Sequence, residues 1–214
     1  MNRARRDGRS PDDPKGTPRL PRPERRRQLL AAARELFLTH GYAATTTKLI
    51  ARAAGVSEVI LYQHFSSKKS LYLELLQEAR RATLERWQAE ADRTADPQAG
   101  LTAIAELCFE TDGETAQDLR FLHRAVMETD GEVIANVRGF YLEAEVLLAR
   151  LLSAGQQTGV FRRSFDPRVG AWEMLRSALG YSLTYPLGIP LYQDPDHRQR
   201  AVECLLQCLL KTDV

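Results

Sequence analysis

"AAGVSEVILYQHFSSKKSLY", residues 53–72, brings a glycine, two tyrosines, a histidine and a lysine pair within twenty positions. Its register is set by Gly55, with Ala51 four residues before it and Leu61 six after. This is the spacing of a helix-turn-helix: a small residue lets two helices cross, glycine takes the left-handed turn, and a buried aliphatic anchors the second helix. Thr46 or Thr47 is placed to cap the first of these helices and Ser57 the second, since a side-chain oxygen there can accept from the free N–H groups of the first turn. Ile50, Ala54, Val56, Leu61 and Phe65 then face inward. Left outside are Glu58, Val59, Tyr62, Gln63 and His64, on a helix short enough to enter a groove. Lys68 and Lys69 follow beside Ser66 and Ser67 at the start of the next helix, where exposed backbone N–H groups favour an anion such as a DNA phosphate.

Upstream, Leu29, Leu30, Ala33, Leu36 and Phe37 recur at spacings of three and four until His40-Gly41, which predicts a first helix that backs the corner. Residues 1–22 hold four prolines, two glycines, many charges and few apolar side chains, and are expected to form a disordered basic arm. Arg3, Arg5, Arg6, Arg9, Lys15, Arg19 and Arg22, with Arg25 to Arg27 beyond them, can track phosphates or merely solubilise the chain. The charge is divided unevenly. Residues 1–88 carry eighteen Lys and Arg against nine Asp and Glu, and the rest carries twelve against nineteen, so +9 and −7 make up the net +2. The basic part is the one suited to a polyanion.

Downstream, Asp96-Pro97, Asp166-Pro167 and Asp194-Pro195 each place an N-cap carboxylate before a proline preset for a first helical turn. Between Gly131 and Gly159 runs a long amphipathic stripe, with Gly159 as its C-cap. No period-two stretch is bounded by hairpin turns, so the fold class is all-α. One short helix-turn-helix reads few base pairs, and specificity then calls for a symmetric dimer.

With these residues laid out, "TTTKLIARAAGVSEVILYQHFSSKKSLY" resembles the DNA-binding region of the tetracycline-repressor (TetR) family of bacterial regulators, over about residues 24–75. The signature is Gly-Val-Ser, three variable residues, Leu-Tyr, one variable residue, His-Phe, and Ser-Lys shortly after. The resemblance implies three parts: the arm (1–22), a helix-turn-helix unit (23–70) and a helical effector-binding and dimerisation bundle (71–214). It implies backbone contacts from Thr46 and Thr47, a base contact from Lys48, and phosphate contacts from Tyr62, His64 and Lys68. Glu58, Val59, Ile60 and Gln63 fall where members vary with their operators, and Ser57 at the helix start is counted with the DNA-contacting residues. Many members have Gly-Thr or Pro-Thr at the place of Val59-Ile60, a departure that bears on base preference. By edge chemistry Gln63 suits adenine, Lys48 guanine, Glu58 a cytosine amino group and Val59 a thymine methyl.

The resemblance further implies a homodimer bound to a palindromic double-stranded operator, paired through its last two helices (Asp166 to about Tyr185, and Asp194 to about Lys211). The final segment offers Val202, Leu205, Leu206, Leu209 and Leu210 as a stripe that serves either a partner or the chain's own core. Between reader and dimer helices a small apolar or aromatic effector is implied, for which Phe109, Met127, Tyr141 and Trp172 are candidate walls. A repressor released by that effector is the expected function.

Other classes find little to stand on. No metal-protease, dinucleotide, P-loop or nucleophile-elbow motif occurs, and His40, His64, His123 and His197 are scattered, so no catalytic residue, metal or cofactor is expected. A helical dimer that has lost DNA binding is a second alternative. Cys108, Cys204 and Cys208 are odd in number and read as buried thiols. The sequence has no apolar run near eighteen residues, and its arginine-rich start lacks a signal peptide's apolar segment, which predicts a cytoplasmic protein without a membrane partner.

Overall fold

A computed structural model of the chain describes residues 20–210. Most of the basic arm lies outside those residues. Among the described residues there are nine α-helices, and the one strand-like pairing is a single bridge between Phe161 and Leu210. All-α is therefore the observed class. No helix among them is long and apolar enough to cross a membrane.

Helix α1 (Arg22–Ala44) bends at Gly41, whose φ of 79° breaks the helix, so its last turn is redirected toward the corner. Helices α2 (Thr47–Ala53) and α3 (Glu58–His64) form that corner. Gly55 takes φ 65° with nothing within 4 Å of an added Cβ, so glycine is needed there for its backbone and not for space. Leu29, Ala33, Phe37, Ile50, Ala54, Leu61 and Phe65 are buried together, with Val56 packed partly against them. Thr46 caps α2 by accepting from Leu49 N–H at 3.2 Å. Ser57 stands at the N-cap of α3 but makes no capping bond, contrary to expectation, so its hydroxyl is left on the outside.

Helix α4 (Lys68–Asp92) starts in a reciprocal cap in which Ser67 and Ser70 each satisfy the other's backbone N–H. Asp96 and Asp166 cap α5 (Pro97–Cys108) and α8 (Pro167–Thr184) through Gln98 N–H and Arg168 N–H. Helix α7 (Gly131–Thr158) ends at Gly159 in the left-handed conformation, as the sequence predicts. Between α5 and α7 lies α6 (Gly113–Ala125), which no Asp-Pro signal announces.

The Asp194-Pro195 expectation fails by two residues, for the N-cap is Asp196. Asp194 accepts from Asp196 N–H, and α9 (His197–Gln207) begins only after that bond. The stripe on α9 and the residues just after it is mostly intramolecular core, for Val202, Leu206 and Leu209 are buried and Leu205 and Leu210 pack partly against them. That leaves Cys204 and Cys208 on the opposite face, exposed, which corrects the reading of all three cysteines as buried; Cys108 alone is.

Candidate nucleic-acid interface

The outer face of the corner is built on a scaffold held from behind. Arg26 on α1 pairs with Glu74 of α4, donates to His64 O at 2.6 Å and lies over the Phe65 ring at 4.3 Å. Arg22 reaches Gln63 O, and Gln28 Nε2 donates to Ala54 O at 3.0 Å. Cations at the end of α3 satisfy its free carbonyls and oppose the negative end of its dipole. Arg26, grouped by sequence with a phosphate-tracking run, is thus a clamp that fixes the orientation of α3.

Outside, Val59 is 68% exposed and Tyr62 53%, with Lys48, Ser57 and Gln63 also exposed and Glu58, Ile60 and His64 half-buried. Thr47 Oγ1 donates to Glu58 Oε1 at 2.8 Å and stands 3.4 Å from the Tyr62 hydroxyl. This bond ties the starts of α2 and α3 and aims the Glu58 carboxylate along the face. Burial, and then the nearby Arg22, Arg26 and Arg25, lower the His64 pKa, leaving a neutral imidazole in a positive setting. Arg52, one turn after Lys48, adds an exposed cation that sequence reasoning passed over; the i, i+4 spacing on α2 was its signal.

Lys68 is engaged within the chain. Its Nζ donates to Tyr42 O at 2.7 Å and Thr45 O at 2.9 Å and sits 4.2 Å over the Tyr42 ring. The free carbonyls after the bend in α1 supply a nearer partner than solvent, and burial lowers the amine's pKa. Lys68 therefore closes the end of α1, while Lys69 meets Asp130 and Glu132 at the start of α7.

The expected effector walls are dispersed. Tyr141 is buried and Trp172 half-buried, stacked with ring centroids 5.9 Å apart. Phe109 caps α5 and meets the edge of Tyr181. Met127 is 78% exposed, because α6 has already ended at Ala125, and it lines no interior surface. A cleft between α5, α6 and α8, lined by Cys108, Thr111, Arg120, Ser182 and Tyr185, encloses about 10 Å³, room for roughly one water.

A capped two-helix corner with an exposed polar second helix, locked to a helical body by arginines, defines a helix-turn-helix DNA-binding protein. Residues 29–75 match the family described as bacterial regulatory proteins, tetR family. The chain is 40% identical over 120 residues to the transcriptional activator FasR of Mycolicibacterium smegmatis, covering 56% of this chain and 55% of that one. It is 32% identical over 160 residues to the transcriptional repressor KstR2 of Rhodococcus jostii, covering 71% and 74%. A tetR-family regulatory protein from Rhodococcus RHA1 shares the fold with a TM-score of 0.75 at 23% identity, over 89% of this chain and 99% of that one. The chain belongs to the TetR family of DNA-binding transcriptional regulators, whose members are not enzymes.

Proposed function

We propose that this regulator is a repressor that binds a palindromic operator as a homodimer and lets go when a small molecule enters its helical body. The observation that carries the reading is the outer face of α3, where Tyr62, Gln63 and Val59 stand exposed on a helix whose Leu61 is buried and whose Gln63 and His64 carbonyls are held by Arg22 and Arg26. A surface so fixed offers base-edge chemistry in a defined orientation. In this reading residues 23–70 are the reading unit and 71–214 the effector and dimer unit, in a cytoplasmic protein. Thr46, Thr47, Tyr62 and His64 meet the backbone, and Lys48, Ser57, Glu58, Val59, Ile60 and Gln63 face bases. Lys68 reaches phosphate only by giving up its carbonyl bonds. The longer match, to a protein named a repressor, favours repression over activation.

Release is supported by the way α6 joins the two units. Its Asp118 is buried and accepts from Arg34 of α1 at 2.5 Å and from Arg86 of α4 at 2.8 Å. Its Phe121 closes an aromatic cluster with Phe37, Tyr42 and Tyr72, and its Arg124 donates to Leu38 O. A ligand that prefers a shifted α6 would move α1 and the corner with it. Selection of bound fragments from random DNA tests the proposal: inverted repeats should be enriched, and transcription from a template carrying them should fall when the protein is added. Enrichment of lone half-sites, or of none, defeats it.

A further inference from the structure

Among the described residues, six buried side-chain polar atoms have no hydrogen-bond partner. Four of them gather in one region: Thr83 Oγ1 and Trp87 Nε1 on α4, His123 Nδ1 on α6 and the Tyr141 hydroxyl on α7. Thr83 and Trp87 are one turn apart on the same face of α4. Trp87 meets Phe140 at 6.0 Å between ring centroids, Phe140 meets Tyr141 at 5.2 Å, and His123 stacks on Tyr141 at 6.3 Å. Residue exposures of 0–2% for Thr83, Trp87 and His123, and 9% for Tyr141, put all four out of bulk water. An unpaired buried donor or acceptor costs about 1–3 kcal/mol, so four on one region of an otherwise well-bonded core need a reason.

We infer that this cluster is the effector site, and that the effector is a neutral, mainly apolar molecule carrying a carbonyl or hydroxyl oxygen. The inference rests on the effector-release reading and adds the chemistry of the ligand. Trp87 Nε1–H can only donate, so the ligand must bring an acceptor; the hydroxyls and the imidazole can then donate or accept. Phe140 and the Tyr141 ring offer apolar and aromatic contact. Charge is disfavoured because the nearby ionic groups are matched already. Glu145 is held by Arg168 and by Trp172 Nε1 at 3.0 Å, and Asp118 by Arg34 and Arg86. An ion bound there would lose its water and find no free countercharge. His123 does not supply one, since burial holds its pKa down to about 4 and keeps the ring neutral at pH 7. Trp172 is the edge of the cluster: half-buried, stacked on Tyr141 and bonded through Nε1 to Glu145.

A matched set of naphthalene probes isolates the polar group: 2-naphthol, 2-acetylnaphthalene, 2-naphthoate and 2-naphthylmethylammonium, titrated calorimetrically into the full chain. The two neutral probes are expected to bind at least about tenfold tighter than either ion. Trp87→Phe and Tyr141→Phe should each weaken 2-acetylnaphthalene about five- to tenfold. Tyr141→Phe removes a single unpaired atom, so its unfolding temperature should hold or rise. The assignment is overturned if an ion binds best, if no probe binds, if both variants bind as wild type, or if Tyr141→Phe loses binding together with thermal stability. Operator binding measured without probe separates the two levels. Intact DNA binding with failed probes sinks the ligand assignment alone, and absent DNA binding sinks the regulator reading beneath it.

Discussion

At the scale of single residues, Tyr62 and Gln63 are neighbours on α3 with different work to do. Tyr62 presents a hydroxyl 3.4 Å from Thr47 Oγ1 at the edge of the face, where a phosphate contact carries no base information. Gln63 presents an amide able to pair with an adenine edge. Tyr62→Ala is expected to weaken every operator variant alike, by about 1 kcal/mol, and Gln63→Ala to change which base is preferred at one position, by about 1–3 kcal/mol of discrimination. Affinities across a library of single-base operator variants check both; a base-selective loss from Tyr62→Ala contradicts the assignment. His123 gives a second expectation, this one on stability. Its folded pKa is held near 4 by burial, against the ordinary 6.5, so between those values the unfolded chain binds a proton that the folded chain refuses. Its contribution is complete above about pH 6.5 and falls by up to about 1.4 kcal/mol for each pH unit as the pH drops toward 4. Urea unfolding at pH 7 and pH 5 should show this loss in the wild type and a smaller one in His123→Leu. Equal losses in both proteins contradict it.

At the scale of elements, the close approach of α7 to the segment that follows it decides what its last turn tolerates. A Cβ on Gly155 would overlap the Phe161 ring, which is buried and whose N–H donates to Gly155 O at 3.1 Å. Gly155→Ala should cost about 1–3 kcal/mol in urea unfolding despite the better helix propensity of alanine, since the ring has no free space to enter. A neutral or stabilising result would mean that Phe161 is loosely held. Asp118→Asn keeps the shape of α6 while removing the charge that two arginines share, with an expected loss of about 2 kcal/mol, also read by urea unfolding; no loss would show the pairs to be worth nothing. How much of this was readable beforehand depends on where each signal lies. The corner, the Asp96 and Asp166 caps and the α7 run with Gly159 are local patterns, and they appear where the sequence placed them. Helix α6 was not legible because Asp112-Gly113 lacks the preset proline and because polar Asp118 and His123, both buried, interrupt its apolar pattern. The bonds Lys68 makes within the chain were out of view for a related reason. The carbonyls it caps become available only through the bend at Gly41, twenty-seven positions earlier in the chain.

At the scale of the whole molecule, the face of α8 turned away from the core bears on the proposed dimer. Val169, Glu173, Arg176, Gly180 and Leu183 recur at spacings of four and three, all exposed, so they share one stripe along the helix. Apolar Val169 and Leu183 flank an ion pair between Arg176 and Glu173, and an added Cβ on Gly180 would meet nothing within 4 Å. A stripe with apolar ends and opposite charges between them can complement a copy of itself across a two-fold axis. The stripe of α9 cannot take this role, because its apolar residues are already in the core of the same chain. The proposed dimer therefore centres on α8, with α9 adding its outer face, where Cys204 and Cys208 are exposed. Leu183→Glu tests this without threatening the fold, since substitutions at exposed positions usually shift stability by less than about 0.5 kcal/mol. It is expected to give a folded monomer by light scattering and to weaken binding to an inverted repeat by about a hundredfold or more, while a lone half-site binds as before, because only the linked second contact is lost. A variant that remains dimeric would place the interface elsewhere. A monomer that still held the inverted repeat at full strength would remove the need for a dimer in operator recognition.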